Sequence, residues 1–134
     1  MLKRLNHIAI VVPDLEQAAT FYRDILKASV SEMVDLPEHG VTTIFVDLGN
    51  TKIELLHPLG EKSPVSGFLK KKPLGGIHHF CIEVDDVFAV QHTLRKKGVR
   101  VLDDPKPGAH GTNVIFLHPA DCLGCLVELE DGKG

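Results

Sequence analysis

Two histidines and two glutamates stand at matching points of a pattern that this 134-residue chain repeats. Asn6-His7-Ile8-Ala9-Ile10-Val11-Val12-Pro13-Asp14 is echoed by His78-His79-Phe80-Cys81-Ile82-Glu83-Val84-Asp85-Asp86, which pairs His7 with His79 at an offset of 72 residues. Lys52-Ile53-Glu54-Leu55-Leu56 is echoed by Leu126-Val127-Glu128-Leu129-Glu130, which pairs Glu54 with Glu128 at an offset of 74. Imidazole nitrogens and carboxylate oxygens are donors that divalent first-row ions accept. Two of each, in repeat-related places, point to a metal site built from two copies of one unit. A single strand His is more often hydrogen-bonded scaffolding, and a single Glu between aliphatics is more often a wet edge charge; the joint repetition is what favours ligation.

The elements that must position these groups follow from periodicity. His7 to Val12 is a β-rich run ended by Pro13, and Asp14-Leu15-Glu16-Gln17 offers a helix N-cap with Gln three residues on. Leu15, Ala18, Ala19, Tyr22, Ile25 and Leu26 recur at helical spacing. Val41–Asp47 and Thr51–Leu56 flank Leu48-Gly49-Asn50 as a hairpin, with a further short strand at Val30–Val34. Pro58 to Gly76 is rich in Gly, Pro and Lys and reads as a linker with one short helix near Val65–Lys70. The plan then repeats: a strand at Ile77–Val84, Asp85-Asp86 as cap, a helix through Val87, Val90 and Leu94 closing on Lys96-Lys97-Gly98, and more strands. Gly111–Leu117 matches Gly40–Val46 at an offset of 71, so the drift to 74 falls in the connection His118–Gly124. The expected organisation is one domain, with repeat one over about 5–57, a linker over about 58–76 and repeat two over about 77–130.

Strand side chains alternate, so His79, Cys81 and Glu83 share one face, opposite His78, Phe80, Ile82 and Val84. Glu128 lies opposite Val127 and Leu129, and Glu54 opposite Ile53 and Leu55. If the aliphatic faces meet the helices, His7, Glu54, His79 and Glu128 fall on the far side, and a divalent cation is the partner that satisfies all four. The implied architecture is a curved sheet with helices outside and a metal in its hollow.

Bulk composition narrows the partners. A net charge of -3, from 15 basic and 18 acidic residues mixed along the chain, leaves no footprint for nucleic acid. Cys81, Cys122 and Cys125 make no complete disulfide framework and read as reduced thiols. No apolar run approaches the roughly 20 residues of a membrane span, so no membrane partner is expected. Met1-Leu2-Lys3-Arg4-Leu5 enters the first strand at once, and no transit peptide is expected within this sequence.

The runs Leu5-Asn6-His7-Ile8-Ala9-Ile10-Val11-Val12-Pro13-Asp14-Leu15, Leu36-Pro37-Glu38-His39-Gly40-Val41, Asn50-Thr51-Lys52-Ile53-Glu54-Leu55-Leu56, Gly75-Gly76-Ile77-His78-His79, Gly108-Ala109-His110-Gly111, Phe116-Leu117-His118-Pro119 and Leu126-Val127-Glu128-Leu129-Glu130 together resemble the methylmalonyl-CoA epimerases, a family of the vicinal oxygen chelate superfamily. The resemblance covers nearly the whole chain. It implies an α+β fold of two tandem βαβββ modules forming an open, U-shaped mixed sheet with helices outside, usually in a homodimer. It implies a divalent metal on His7, Glu54, His79 and Glu128, with Co2+ favoured and Zn2+, Mn2+, Ni2+ or Mg2+ admissible; some bacterial relatives have Gln at the position of Glu54.

The implied activity is isomerisation: (2R)- and (2S)-methylmalonyl-CoA interconverted by 1,1-proton transfer through a metal-stabilised enolate, in propionyl-CoA metabolism. Glu38 is the expected base on one face and Glu128 on the other. Lys70, Lys71, Lys72 and the Arg95-Lys96-Lys97 cluster are weak candidates for the CoA phosphates, since charge runs usually face water. Gly108-Ala109-His110-Gly111, with two glycines permitting close backbone approach, is the better candidate for a loop beside the substrate. The compartment follows the source: mitochondrial matrix in a eukaryote, cytoplasm in a bacterium. Alternatives are a glyoxalase-like lyase or isomerase acting on a hemithioacetal, and a metal-free binding module of the same fold.

Overall fold

The computed structural model describes residues 1–132. The chain forms two compact units, His7–His78, and Met1–Asn6 together with the chain from His79 onward.

In His7–His78, the end of β1 (Leu2–Val11) runs parallel to β5 (Lys52–Pro58), which pairs antiparallel with β4 (Val41–Asp47). Two short strands, β2 (Ser29–Val30) and β3 (Val34–Leu36), continue onto β4. They replace the single short strand expected at Val30–Val34. Pro13 follows the end of β1, and Asp14 caps α1 (Leu15–Thr20) by accepting from the Gln17 amide at 3.0 Å.

The helical spacing predicts one helix through Leu26, but from Phe21 to Ile25 the chain widens into a π-helical turn, with the Leu26 amide bonding to Phe21 O at 3.0 Å. A π turn inserts one residue into the helical register. The widening leaves Phe21, Ile25 and Leu26 exposed, while Tyr22 and Ala28 pack against the Leu15, Ala19, Ile44, Val46 and Leu55 core.

The opposite face of this sheet is also covered. Ala9, Val11, Val41 and Leu56 are buried with Val65, and Phe68 and Leu69 of α2 (Ser66–Lys71) pack against them. The expected linker therefore lines a second face of the sheet, and burying its Val65 is worth about 1.5–3 kcal/mol. Glycine is required at its end: Gly75 has φ +86, and a Cβ there would meet Val11 O at 2.4 Å.

In the other unit β6 (Gly76–Val84) is parallel to β9 (Val127–Asp131), β9 pairs antiparallel with β8 (Asn113–Leu117), and β8 pairs with β7 (Lys106–Pro107). Asp86 caps α3 (Val87–Lys96), accepting from Phe88 N at 2.9 Å and Ala89 N at 3.4 Å. Val87 and Val90 meet Val84, Ile115, Leu117, Val127 and Leu129, with Phe80, Ile82 and Leu94 around them. The start of β1 is tied to this unit: Arg4 Nε at 2.9 Å and Asn6 Nδ2 at 3.0 Å both donate to Glu83 Oε2. Both modules thus run βαβββ, with the third element of the first split into β2 and β3. Parallel and antiparallel pairs make the sheet mixed, as expected for the α+β reading.

Candidate metal centre

Each module buries one imidazole against one carboxylate. In the first, β1 carries His7 and the neighbouring β5 carries Glu54, so His7 Nε2 lies 3.3 Å from Glu54 Oε1. In the second, β6 carries His79 and β9 carries Glu128, and His79 Nε2 lies 3.1 Å from Glu128 Oε1. The strand parity places them as anticipated, opposite the helix-facing aliphatics. All four are buried, at 3, 5, 6 and 7% exposure for His7, Glu54, His79 and Glu128. Polar groups this dry need partners. Each pair offers one nitrogen and one oxygen donor a hydrogen-bond length apart, and that donor chemistry fits a borderline divalent ion.

The surroundings of the pairs are repeat-related too. Phe45 lies opposite Glu54 in the β4–β5 register and sets its ring edge-on to His7, centroids 6.1 Å apart. Phe116 lies opposite Glu128 and does the same to His79 at 5.3 Å. The two carboxylates differ in one respect. Thr43 Oγ1 donates to Glu54 Oε2 at 3.1 Å, whereas the repeat equivalent of Thr43 is Val114, which has no hydroxyl to give Glu128.

A third imidazole–carboxylate pair lies one strand step beyond Glu128. Glu130 is 3% exposed, and its Oε1 accepts from Thr112 Oγ1 at 2.8 Å and lies 3.2 Å from His110 Nδ1. Burial pushes the Glu130 carboxyl up, and the hydrogen bonds from His110 and Thr112 outweigh it, so the group ends below its ordinary value.

Glu38 sits exposed in the Pro37–Gly40 turn. That turn is anchored from beneath: Gly40 O accepts from the Ser63 hydroxyl and from the Leu59 amide, and Gly40 takes φ +67 against Ser63 and Pro64. Lys70, Lys71, Lys72 and the Arg95-Lys96-Lys97 run are exposed; Lys72 covers the Phe68 ring at 5.5 Å, and Arg95 pairs with Asp104 at 3.6 Å. His78 sets its ring against Phe68 of α2 at 5.4 Å, consistent with a structural role.

Residues 6–116 match the glyoxalase/bleomycin resistance protein/dioxygenase superfamily. The chain is 64% identical over 130 residues to the mitochondrial methylmalonyl-CoA epimerase of Mus musculus, covering 96% of this chain and 73% of that protein. It is 61% identical to the ethylmalonyl-CoA/methylmalonyl-CoA epimerase of Cereibacter sphaeroides, covering 97% and 98%. The chain belongs to the methylmalonyl-CoA epimerase family. A solved Streptomyces coelicolor methylmalonyl-CoA epimerase variant in complex with 2-nitronate-propionyl-CoA superimposes with a TM-score of 0.88 at 36% identity, covering 97% of each chain. The glyoxalase-type fold expected from the motifs is therefore that of this epimerase-family chain.

Four features of the site were not anticipated: Phe45, Phe116, Thr43 and the Glu130 pairing of His110. The aromatic pair had a legible signal, since Phe45 and Phe116 stand at the same 71-residue offset as their flanking glycines. Thr43 had none, because only the β4–β5 register brings its hydroxyl to Glu54.

Proposed function

We propose that the protein is a metal-dependent epimerase of methylmalonyl-CoA, inverting its α-carbon by 1,1-proton transfer. The observation that supports this best is the pair of buried, repeat-equivalent His–Glu sets, 3.3 and 3.1 Å apart, in a chain of the epimerase family. His7, Glu54, His79 and Glu128 would together hold one divalent ion, with Co2+ the favoured occupant and Zn2+, Mn2+, Ni2+ or Mg2+ able to replace it. Such an ion supplies Lewis-acid charge for the oxyanion that develops when a carbon acid beside a thioester is deprotonated.

The protein's own groups then divide the proton work. Thr43 occupies Glu54 Oε2 and leaves Oε1 to the His7 side, so Glu54 is arranged as a fixed donor. Glu128, whose Oε1 lies beside His79 Nε2, is assigned to proton exchange on one face of the α-carbon. Glu38 is assigned to the opposite face. Its turn is braced by Ser63 and Leu59, so an exposed carboxylate is presented on a fixed backbone. A base that must meet a substrate proton needs reach more than burial.

Under this reading the protein works as a homodimer in propionyl-CoA metabolism. Its place would be the mitochondrial matrix of a eukaryote, the Mus musculus relative being named mitochondrial, or the cytoplasm of a bacterium. The deciding measurement is loss of the substrate α-proton to deuterated solvent, followed by NMR. Exchange should appear on adding cobalt to metal-stripped protein and vanish with chelator. Exchange indifferent to metal, or none on methylmalonyl-CoA while a hemithioacetal is converted, would overturn the assignment.

A further inference from the structure

The connection from β8 to β9 is where the second module departs from the first. The offset between the copies grows there from 71 to 74, so the connection gains three residues. It also carries two of the chain's three cysteines, Cys122 and Cys125, whereas its counterpart Leu48-Gly49-Asn50 has none. The pair is therefore no part of the scaffold that the modules share, nor of the repeat-related His–Glu sets.

A tight turn brings the two cysteines together. Cys125 N donates to Cys122 O at 3.2 Å, which makes Cys122-Leu123-Gly124-Cys125 a β-turn with a cysteine at each end. Its central residues both take positive φ, +60 at Leu123 and +92 at Gly124, the handedness of a type I′ turn. The first and fourth Cα atoms of a β-turn lie within about 7 Å, and a disulfide joins Cα atoms about 4.4–6.8 Å apart, so the backbone is already close to what a bridge requires. The sulfurs also sense one another: burial first, then the Asp121 carboxylate and the Cys125 thiol, hold the Cys122 thiol above its ordinary value.

Hydrogen bonds hold this turn in place. Leu123 is 100% exposed, so its side chain contributes no packing that would keep a bulky residue on left-handed backbone. Instead Pro119 O accepts from the amides of Cys122 at 3.0 Å and Gly124 at 2.9 Å, and Asp121, between them in sequence, is gripped by Arg100. Access to the two sulfurs differs. Cys125 is exposed, while Cys122 is half-buried against the core of Val84, Ile115 and Leu129. Thiol–disulfide exchange starts at the accessible sulfur.

We infer that Cys122 and Cys125 are a reversible redox site, at which Cys125 reacts first with a low-molecular-weight disulfide and Cys122 then closes a disulfide across the turn. In the first step the Cys125 thiolate attacks one sulfur of the small disulfide, forming a mixed disulfide and releasing one thiolate. In the second the Cys122 thiolate attacks Cys125 Sγ and releases the other. Two protein thiols and one small disulfide become one protein disulfide and two small thiols. Two electrons pass to the small disulfide, and the two protein protons end on the released thiols. Excess small thiol reverses both steps. The site lies outside the epimerase reading, which stands or falls separately.

The test equilibrates the full chain with mixtures of reduced and oxidised glutathione, quenches with acid, and reads intact mass and thiols titrated in denaturant. The wild type should lose the mass of two hydrogens and keep one thiol, that of the buried Cys81, with all three restored by dithiothreitol. Cys122→Ser should instead take up one glutathione at Cys125, and Cys125→Ser should take it up at Cys122 more slowly by about tenfold or more. In urea, closure should need a glutathione mixture more oxidising by about tenfold, because the turn no longer holds the sulfurs together. Wild type that stops at the mixed disulfide, cross-links between chains, keeps all three thiols or closes as readily in urea would overturn the inference. So would glutathione uptake as fast at Cys122 as at Cys125.

Discussion

Thr43 and Val114 occupy equivalent places in the two modules, yet only Thr43 hydrogen-bonds a carboxylate of the candidate metal site. Hydrogen bonds behind metal ligands orient them, and losing one typically costs 10- to 100-fold in metal affinity. Thr43→Val should therefore weaken cobalt binding by about tenfold, read by titration of the cobalt visible absorption, with little change in fold. Unchanged affinity would show that Glu54 needs no orienting partner. Glu38 makes the opposite prediction, since it touches no proposed ligand. Glu38→Gln should retain cobalt and substrate binding while proton exchange falls by about 100-fold or more. Near-normal exchange by that variant would remove Glu38 from the mechanism.

At the scale of elements, the candidate ligands stand on strands whose aliphatic faces are covered in each module. Helices α1 and α3 cover the aliphatic faces, and in the first module α2 and Val65 cover the other. Connections are clamped as well. After α3, the Arg100 guanidinium grips the Asp121 carboxylate at 3.0 and 3.1 Å, and the Arg100 amide adds a third bond at 2.8 Å. The side-chain hydrogen bond from Arg100 is the main reason Asp121 titrates at about 2, against an ordinary 3.8. Because the folded value is depressed, the stabilisation is fully present above pH 3.8 and is lost as pH falls through about 2. Arg100→Gln should return the Asp121 carboxyl resonance toward ordinary titration, and it should remove this part of the acid dependence between those limits. An Asp121 midpoint still at about 2 in that variant would assign the shift to another cause.

For the whole molecule, the decisive property is whether the two His–Glu pairs serve one ion. Elemental analysis of cobalt-reconstituted protein should give one ion per chain. His7→Ala and His79→Ala should then each abolish tight binding, where independent sites would each lose half. An ion that binds only the folded protein should also raise Tm, by the equivalent of about 2.7 kcal/mol at a free concentration 100 times Kd. Two ions per chain, or tight binding that survives either substitution, would separate the pairs.

The duplication, the strand parity and the four candidate ligands were legible in the amino-acid order because they depend on local rules. Repeats survive as offsets, side chains alternate along a strand, and Pro13, Asp14 and Asp86 punctuate elements within a few residues of themselves. The π turn was not legible, since helical spacing alone does not disclose where a turn widens to seat Tyr22. Neither was the covering role of residues 58–76, whose composition reads as linker until Val65 meets Val41 and Leu56. Only the tertiary structure joined Thr43 to Glu54 and His110 to Glu130. Parity names the residues that share a face, but which of them touch is set by the register of neighbouring strands and by a loop folding back, and those contacts are non-local.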